Sequence, residues 1–150
     1  MAGLDRIWAI LLGVVLAASV WLASLALNPP AALPATVPAS EFSAERAFLH
    51  VRSIARAPHP LGSPENAAVR RYVSDQFRTL GLSVEVQSFA WGQAEANGFN
   101  LMVRIPRARP AAEPARAVAL VCHYDFVASD RGAGDDGSAV ATLLETARAL

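Results

Sequence analysis

The sequence predicts an α/β domain, the start of a mixed and largely parallel sheet flanked by helices, behind one transmembrane helix. Three observations predict it. Residues 118–122, Val-Ala-Leu-Val-Cys, form a continuous apolar run without alternation, the pattern of a strand covered on both faces as in a parallel sheet. Helical periodicity in residues 41–56, 63–80 and after 137 is interleaved with short extended patterns. Residues 7–27 carry no charge, and a helix of that length rises roughly 30 Å, enough to cross a bilayer core.

Residues 1–6 precede the span and read as a cytoplasmic N-terminus. Arg6 and the terminal amine lie there, partly offset by Asp5. That charge pattern directs the following chain to the non-cytoplasmic side. Ile7–Leu27 is the membrane anchor, with Trp8 and Trp21 towards its ends as interfacial residues. A cleaved signal peptide is the competing reading. It asks for an apolar core of about 7–15 residues and a small-residue cleavage site. The run here is longer, and no clear Ala-x-Ala site immediately follows it. Residues 28–40, NPPAALPATVPAS, hold four of the ten prolines and no charge. Such a composition suits an extended Pro/Ala linker.

Residues 41–150 read as one domain. Glu41 to Arg56 is helical by pattern, with Ala44, Ala47, Phe48, Val51, Ile54 and Ala55 on one face. The segment Pro58-His59-Pro60-Leu61-Gly62 breaks it. Ser63 then Pro64 is a helix start, with serine as the cap and proline in the first turn. That helix runs through Val69, Tyr72, Val73, Phe77 and Leu80 to a stop at Gly81. Leu82–Phe89 alternates as a strand, with Val84 and Val86 opposite Glu85 and Gln87. Trp91–Asn97 reads as a connection, Gly98–Ile105 as a second strand and Pro106–Ala115 as an exposed loop.

Composition excludes some functions. The formal net charge is zero, so nothing electrostatic favours nucleic acid. The single cysteine, Cys122, has no partner for an internal disulfide and reads as a small core residue. It says nothing about redox compartment.

The chemistry lies after the apolar run, which ends in His123-Tyr124-Asp125. In open α/β sheets ligands sit beyond the carboxyl ends of the strands. A loop with Asp130, Gly132, Gly134, Asp135 and Asp136 follows, then a helix with Ala141, Leu144 and Ala147 at helical spacing. Zinc takes imidazole nitrogen and carboxylate oxygen. His123 and Asp125 are two apart on an extended chain, so their side chains share a side. Asp125 is thereby placed to accept from the ring N–H facing away from a metal. Asp135 or Asp136 can return an oxygen ligand. A carboxylate can bridge two metals, and two metals roughly 3.5–4 Å apart can activate one water.

Each residue alone has a plainer reading. His-x-Asp at a strand end is usually a hydrogen-bonded pair, and Gly-Ala-Gly-Asp-Asp-Gly a turn with Asp136 as helix cap. His59 reads as a loop histidine between prolines, His50 as a surface or boundary residue and Glu145 as part of a solvated helix face. Gly132-Ala133-Gly134 lacks the spacing of a dinucleotide fingerprint.

The joint pattern of apolar strand, His-x-Asp, Gly-rich loop, Asp-Asp-Gly-Ser and amphipathic helix resembles the di-zinc aminopeptidase family, the twenty-eighth metallopeptidase family. Ala57-Pro58-His59-Pro60-Leu61-Gly62-Ser63 and Tyr72…Leu80-Gly81-Leu82 resemble its membrane-anchored endoplasmic-reticulum and vacuolar branch. The resemblance implies a zinc-peptidase fold, peptide substrates and two zinc ions per complete domain. It implies His123 as a terminal zinc ligand, Asp125 as the orienting residue counted as catalytic, and Asp135 as the bridging ligand. Asp136 is the weaker candidate, and Ala139 stands where the family often has glycine. The family's Glu-Glu pair and its further Asp and His ligands are expected beyond this stretch. Residues 41–150 are then the N-terminal, truncated part of a peptidase domain, inactive as a peptidase by itself. Two other implications stand beside it: an inactive membrane-tethered interaction domain, and a one-zinc relative that cyclises N-terminal glutamine.

Overall fold

The computed structural model describes residues 2–91, 96–106 and 116–150. They form two units, Met1–Ala31 and Ala32–Leu150. The first unit contains α1, Ala2–Ala26. Its segment Arg6–Ala26, 21 residues, is long and apolar enough to cross a membrane, and none of it is buried. A helix of that length and composition suits a lipid surround.

The second unit runs α2 (Ala44–Ile54), α3 (Pro64–Thr79), β1 (Val84–Trp91), β2 (Ala96–Val103), a five-residue turn (Ala133–Gly137) and α4 (Ser138–Ala149). Ser43 caps α2 from an extended conformation, its hydroxyl accepting from the Arg46 N–H at 3.2 Å. The helix therefore begins after Glu41 and Phe42. Its buried residues are Ala47 and Ile54, whereas Phe48 is 59% exposed, so Phe48 lies off the core face expected for it. Ser63 caps α3, accepting from Asn66 N–H at 3.0 Å, with Pro64 in the first turn. Gly81, at φ 76°, closes it as expected.

β1 and β2 pair antiparallel, with Val84 opposite Val103 and Phe89 opposite Gly98. A Cβ at Gly98 would stand 2.2 Å from Phe89 Cζ, so the ring occupies the space that glycine leaves open. Among the described residues this hairpin is the only sheet, which corrects the expectation of a largely parallel one. Val118–Cys122 forms no ladder, and Val118 and Val121 are 88% and 89% exposed. The apolar run records a demand for cover on both faces. A strand also needs partner N–H and C=O groups, and residues 118–122 are laid against neither β1 nor β2. Residues 119–122 instead line an open groove of about 390 Å³ with Ser138, Ala139, Thr142 and Leu143 of α4. The loop expected over 106–115 lies outside the described residues from 107 onward, as does 92–95 of the expected connection.

The core is Ile54, Val69, Val73, Val140 and Leu144, with Tyr72, Phe77, Leu101, Cys122 and Tyr124 packed against it. Cys122 is therefore a core-edge residue, as expected. Burial, and then the charge of Asp136, pushes its thiol up to about 11.

Two expectations change where α2 meets α4. Glu145 does not face solvent: it is fully buried. It accepts from Ser43 N–H at 2.8 Å, from Arg46 Nε at 2.9 Å and from both Nε and Nη2 of Arg148 at 2.7 Å. The second half of the linker is tied to this cluster. Ser43 Oγ donates to the carbonyls of Leu33 and Pro34, and Ala35 N–H donates to Glu45. Arg46 donates to the carbonyls of Ala35, Val37 and Glu41, and Arg148 to those of Ala39 and Glu41. The segment is held largely by its carbonyls, because two guanidinium forks reach them.

Candidate metal centre

The stretch after Cys122 runs along the core edge through Tyr124 and is fixed at three points. Tyr124 Oη donates to the Phe99 carbonyl at 2.6 Å, which ties it to β2. Phe126 N–H donates to the His59 carbonyl at 3.3 Å, which ties it to the Pro-His-Pro corner. Gly137 N–H donates to the Gly132 carbonyl at 3.0 Å, which closes the turn before α4. Gly132 sits at φ 64°, and a Cβ there would stand 2.8 Å from Phe126 Cβ. Only glycine suits that position on both counts. Gly132→Ala is expected to destabilise the chain by about 1–3 kcal/mol, read as a lowered urea midpoint.

The turn interrupts the helical backbone at Asp135 (φ −127°, ψ 94°) and Asp136 (φ −126°, ψ 27°), which directs the Asp135 carboxylate back towards His123. His123 Nε2 lies 3.0 Å from Asp135 Oδ1. His123 Nδ1 lies 2.9 Å from the Asp125 backbone carbonyl and 3.7 Å from its carboxylate. The main-chain oxygen, rather than the expected carboxylate, thus accepts the Nδ1 hydrogen bond. A carbonyl oxygen only accepts, so Nδ1 carries the proton and Nε2 is left to face Asp135. Asp136 turns elsewhere: its Oδ2 accepts the His123 backbone N–H at 3.3 Å.

Desolvation by itself lowers the His123 pKa. The Asp125 carbonyl, the Asp135 carboxylate and the charges of Asp125 and Asp136 outweigh it, and the imidazole holds its proton above the ordinary range. The side chains of His123, Asp125 and Asp135 are 49%, 47% and 73% exposed. The three residues are accessible from solvent. One imidazole nitrogen and one carboxylate oxygen, 3.0 Å apart, are donors of the kind zinc takes, so the pair fits part of a zinc site. No group of three or more metal-binding side chains occurs among the described residues.

The other histidines are engaged elsewhere. His59 is buried, with Nδ1 2.9 Å from the Ala57 carbonyl. It supports the corner that holds Phe126. His50 Nδ1 lies 2.7 Å from Tyr72 Oη, and burial lowers its pKa, partly offset by the charge of Glu145. The residue that sequence reasoning missed is Glu145. A signal was present: Val140, Ala141, Leu144 and Glu145 all lie on the buried face of α4, so Glu145 sits within the apolar stripe, with Arg148 one turn on.

Peptidase family M28 matches residues 100–150. A vacuolar membrane protease of Yarrowia lipolytica is 28% identical over 145 residues, 81% of this chain and 14% of that protein. A vacuolar membrane protease of Candida albicans is 32% identical over 109 residues, 69% of this chain and 13% of the relative. One of Coprinopsis cinerea is 30% identical over 122 residues, 69% and 12% respectively. The chain thus spans about one-seventh of the length of these relatives. No solved structure matches it.

Proposed function

Residues 100–150 belong to peptidase family M28, and from that premise we propose that the chain is the opening part of a membrane-anchored zinc exopeptidase of the aminopeptidase type. One observation carries the reading. Within the family-matched segment, His123 Nε2 and Asp135 Oδ1 stand 3.0 Å apart, with the other ring nitrogen already held by a carbonyl.

His123 and Asp135 would hold zinc, Asp135 as the bridging ligand of a two-zinc site whose other ligands come from outside this set of residues. Zinc, when bound, polarises a peptide carbonyl and makes water nucleophilic near neutral pH. The chain's own part is to present the ligands. The Asp125 carbonyl fixes the Nδ1–H tautomer, so the Nε2 lone pair is available once its proton leaves. The Asp125 carboxylate, 3.7 Å from Nδ1, adds negative charge on the side of the ring away from Asp135 and orients it. A catalytic zinc ordinarily has three protein ligands, so the chain alone holds the metal weakly and turns over no peptide. Ile7–Leu27 anchors the protein, with the domain on the non-cytoplasmic side.

The test uses the natural polypeptide that carries this chain, purified with its metal. Expected are bound zinc, hydrolysis of aminoacyl-anilides, loss of both on chelation and recovery with zinc. Activity on N-blocked peptides alone would replace the exopeptidase reading with an endopeptidase one. A zinc-replete protein without hydrolysis would leave an interaction domain, and release of pyroglutamyl product would mean a cyclase.

Zinc uptake is expected to weaken as pH falls. Protons compete for Nε2, and the pKa of His123 is raised. Competition therefore begins at higher pH than for an ordinary histidine. Titration with a zinc indicator between pH 8 and pH 5 checks this, and an affinity flat across that range would remove His123 from the site. For topology, added protease is expected to spare residues 32–150 in sealed vesicles whose cytoplasmic face is outward and to digest them in vesicles whose cytoplasmic face is inward. Protection that follows the cytoplasmic pattern reverses the assigned side.

A further inference from the structure

We propose that Glu145 and Arg148 form a latch that holds the linker segment 33–41 against α2 and α4 and, through α2, positions the turn carrying Asp135. The latch lies at one end of α2. Glu145 accepts the Ser43 N–H at the head of that helix, and Arg46 and Arg148 spend their remaining donors on linker carbonyls. The turn lies at the other end. Ile54, the last residue of α2, is 3.5 Å from where a Cβ on Gly137 would sit. Between them α2 is a strut of roughly 16 Å, packed along α4 by Ile54, Val140 and Leu144 in one cluster. A rigid element touching both places passes a displacement at one end to the other.

Every member of the latch is satisfied: no buried side-chain polar atom lacks a partner among the described residues. Such a cluster holds one arrangement, because any shift leaves buried charge without its hydrogen bonds. Segment 33–41 therefore behaves as part of the folded unit. Its engagement sets where the turn sits before metal arrives. Glu145 and Arg148 are positioning residues, ten or more residues from the ligand they act on. The consequence for metal binding rests on the reading of Asp135 as a ligand. The coupling between linker and turn does not.

The experiment is hydrogen–deuterium exchange on the zinc-free full chain in detergent micelles, followed by peptide in three regions: 33–41, 133–137 and the β1–β2 hairpin. Arg148→Met removes the contacts to the Ala39 and Glu41 carbonyls and leaves Arg46 beside Glu145. Exchange is expected to rise together in 33–41 and 133–137, by about tenfold or more, with the hairpin unchanged. Glu45→Ala is the second variant. It removes only the exposed acceptor of the Ala35 N–H and leaves the buried cluster intact. The same paired rise is expected, smaller in size. Unchanged exchange of 33–41 in both variants overturns the latch. A rise in 33–41 without one in 133–137 overturns the coupling. If Arg148→Met accelerates all three regions alike, the outcome for Glu45→Ala decides between paired and linker-only response. Since no zinc is present, failure of the zinc assignment leaves the result readable.

Discussion

Asp135→Ala, made in the natural polypeptide that carries this chain, is expected to abolish tight zinc binding and with it peptide hydrolysis. The carboxylate stands 3.0 Å from Nε2 of His123, and alanine leaves no oxygen there. The loss is expected to exceed the roughly 10–100-fold that removal of an outer partner of a ligand costs. His123→Ala is expected to match it. Asp125→Ala is expected near the low end of that range. The oxygen that accepts from Nδ1 at 2.9 Å belongs to the Asp125 backbone, and alanine keeps it. Asp136→Ala is expected to do less, since its carboxylate accepts a main-chain N–H at 3.3 Å and not the ring. Zinc content and turnover of the four variants, measured side by side, check the order. Normal zinc and turnover in Asp135→Ala, with loss in Asp136→Ala, would move the bridging assignment by one residue.

Glu145→Ala is expected to be the most destabilising single change in the folded unit, by about 3–5 kcal/mol. It leaves Arg46 and Arg148 beside a buried void, each without its carboxylate, and frees the Ser43 N–H. Against a domain stability of roughly 5–15 kcal/mol that is a large share. The same group gives a pH dependence. Burial pushes the Glu145 carboxyl upward, but hydrogen bonds from Arg148, from Ser43 N–H and from Arg46 outweigh it and hold it at about 2, against an ordinary 4.5. A depressed acid contributes stability above its unfolded pKa and loses it as pH falls through the folded one. The contribution is therefore full above about pH 4.5 and lost progressively towards pH 2, by roughly 3 kcal/mol at most. Urea denaturation of the wild type and of Glu145→Gln at pH 7, 4 and 3 separates the two effects. The glutamine variant is expected to be less stable at pH 7 and flatter with pH. Equal slopes with pH for both proteins would show that Glu145 is not the titrating group.

Local chemistry carried much of this structure in plain view. Ser63-Pro64 and Gly81 bound α3 because a serine cap, a proline first turn and a left-handed glycine act on the chain beside them. The uncharged run ending at Leu27 specified a helix long and apolar enough to cross a membrane. Residue type and spacing pointed to His123, Asp125 and the Asp135-Asp136 pair, the resemblance chose Asp135 from that pair, and the fold places Asp135 beside the ring.

Tertiary structure decided what depends on partners far along the chain. Val118–Cys122 has the composition of a buried strand, yet strand pairing belongs to two segments at once, and the fold lays no second segment alongside it among the described residues. The oxygen facing His123 Nδ1 proved to be the Asp125 carbonyl, because backbone direction after a strand end is set by the Tyr124 and Phe126 tethers rather than by residue identity. Glu145 shows the same division most clearly. Its place on the apolar stripe of α4 is written in the helical repeat. Its burial depends on Ser43 and Arg46, about one hundred residues earlier, whose donors offset the cost of taking a carboxylate out of water. Periodicity reports which face a side chain lies on, and only the packed chain supplies the partners that let a charge stay there.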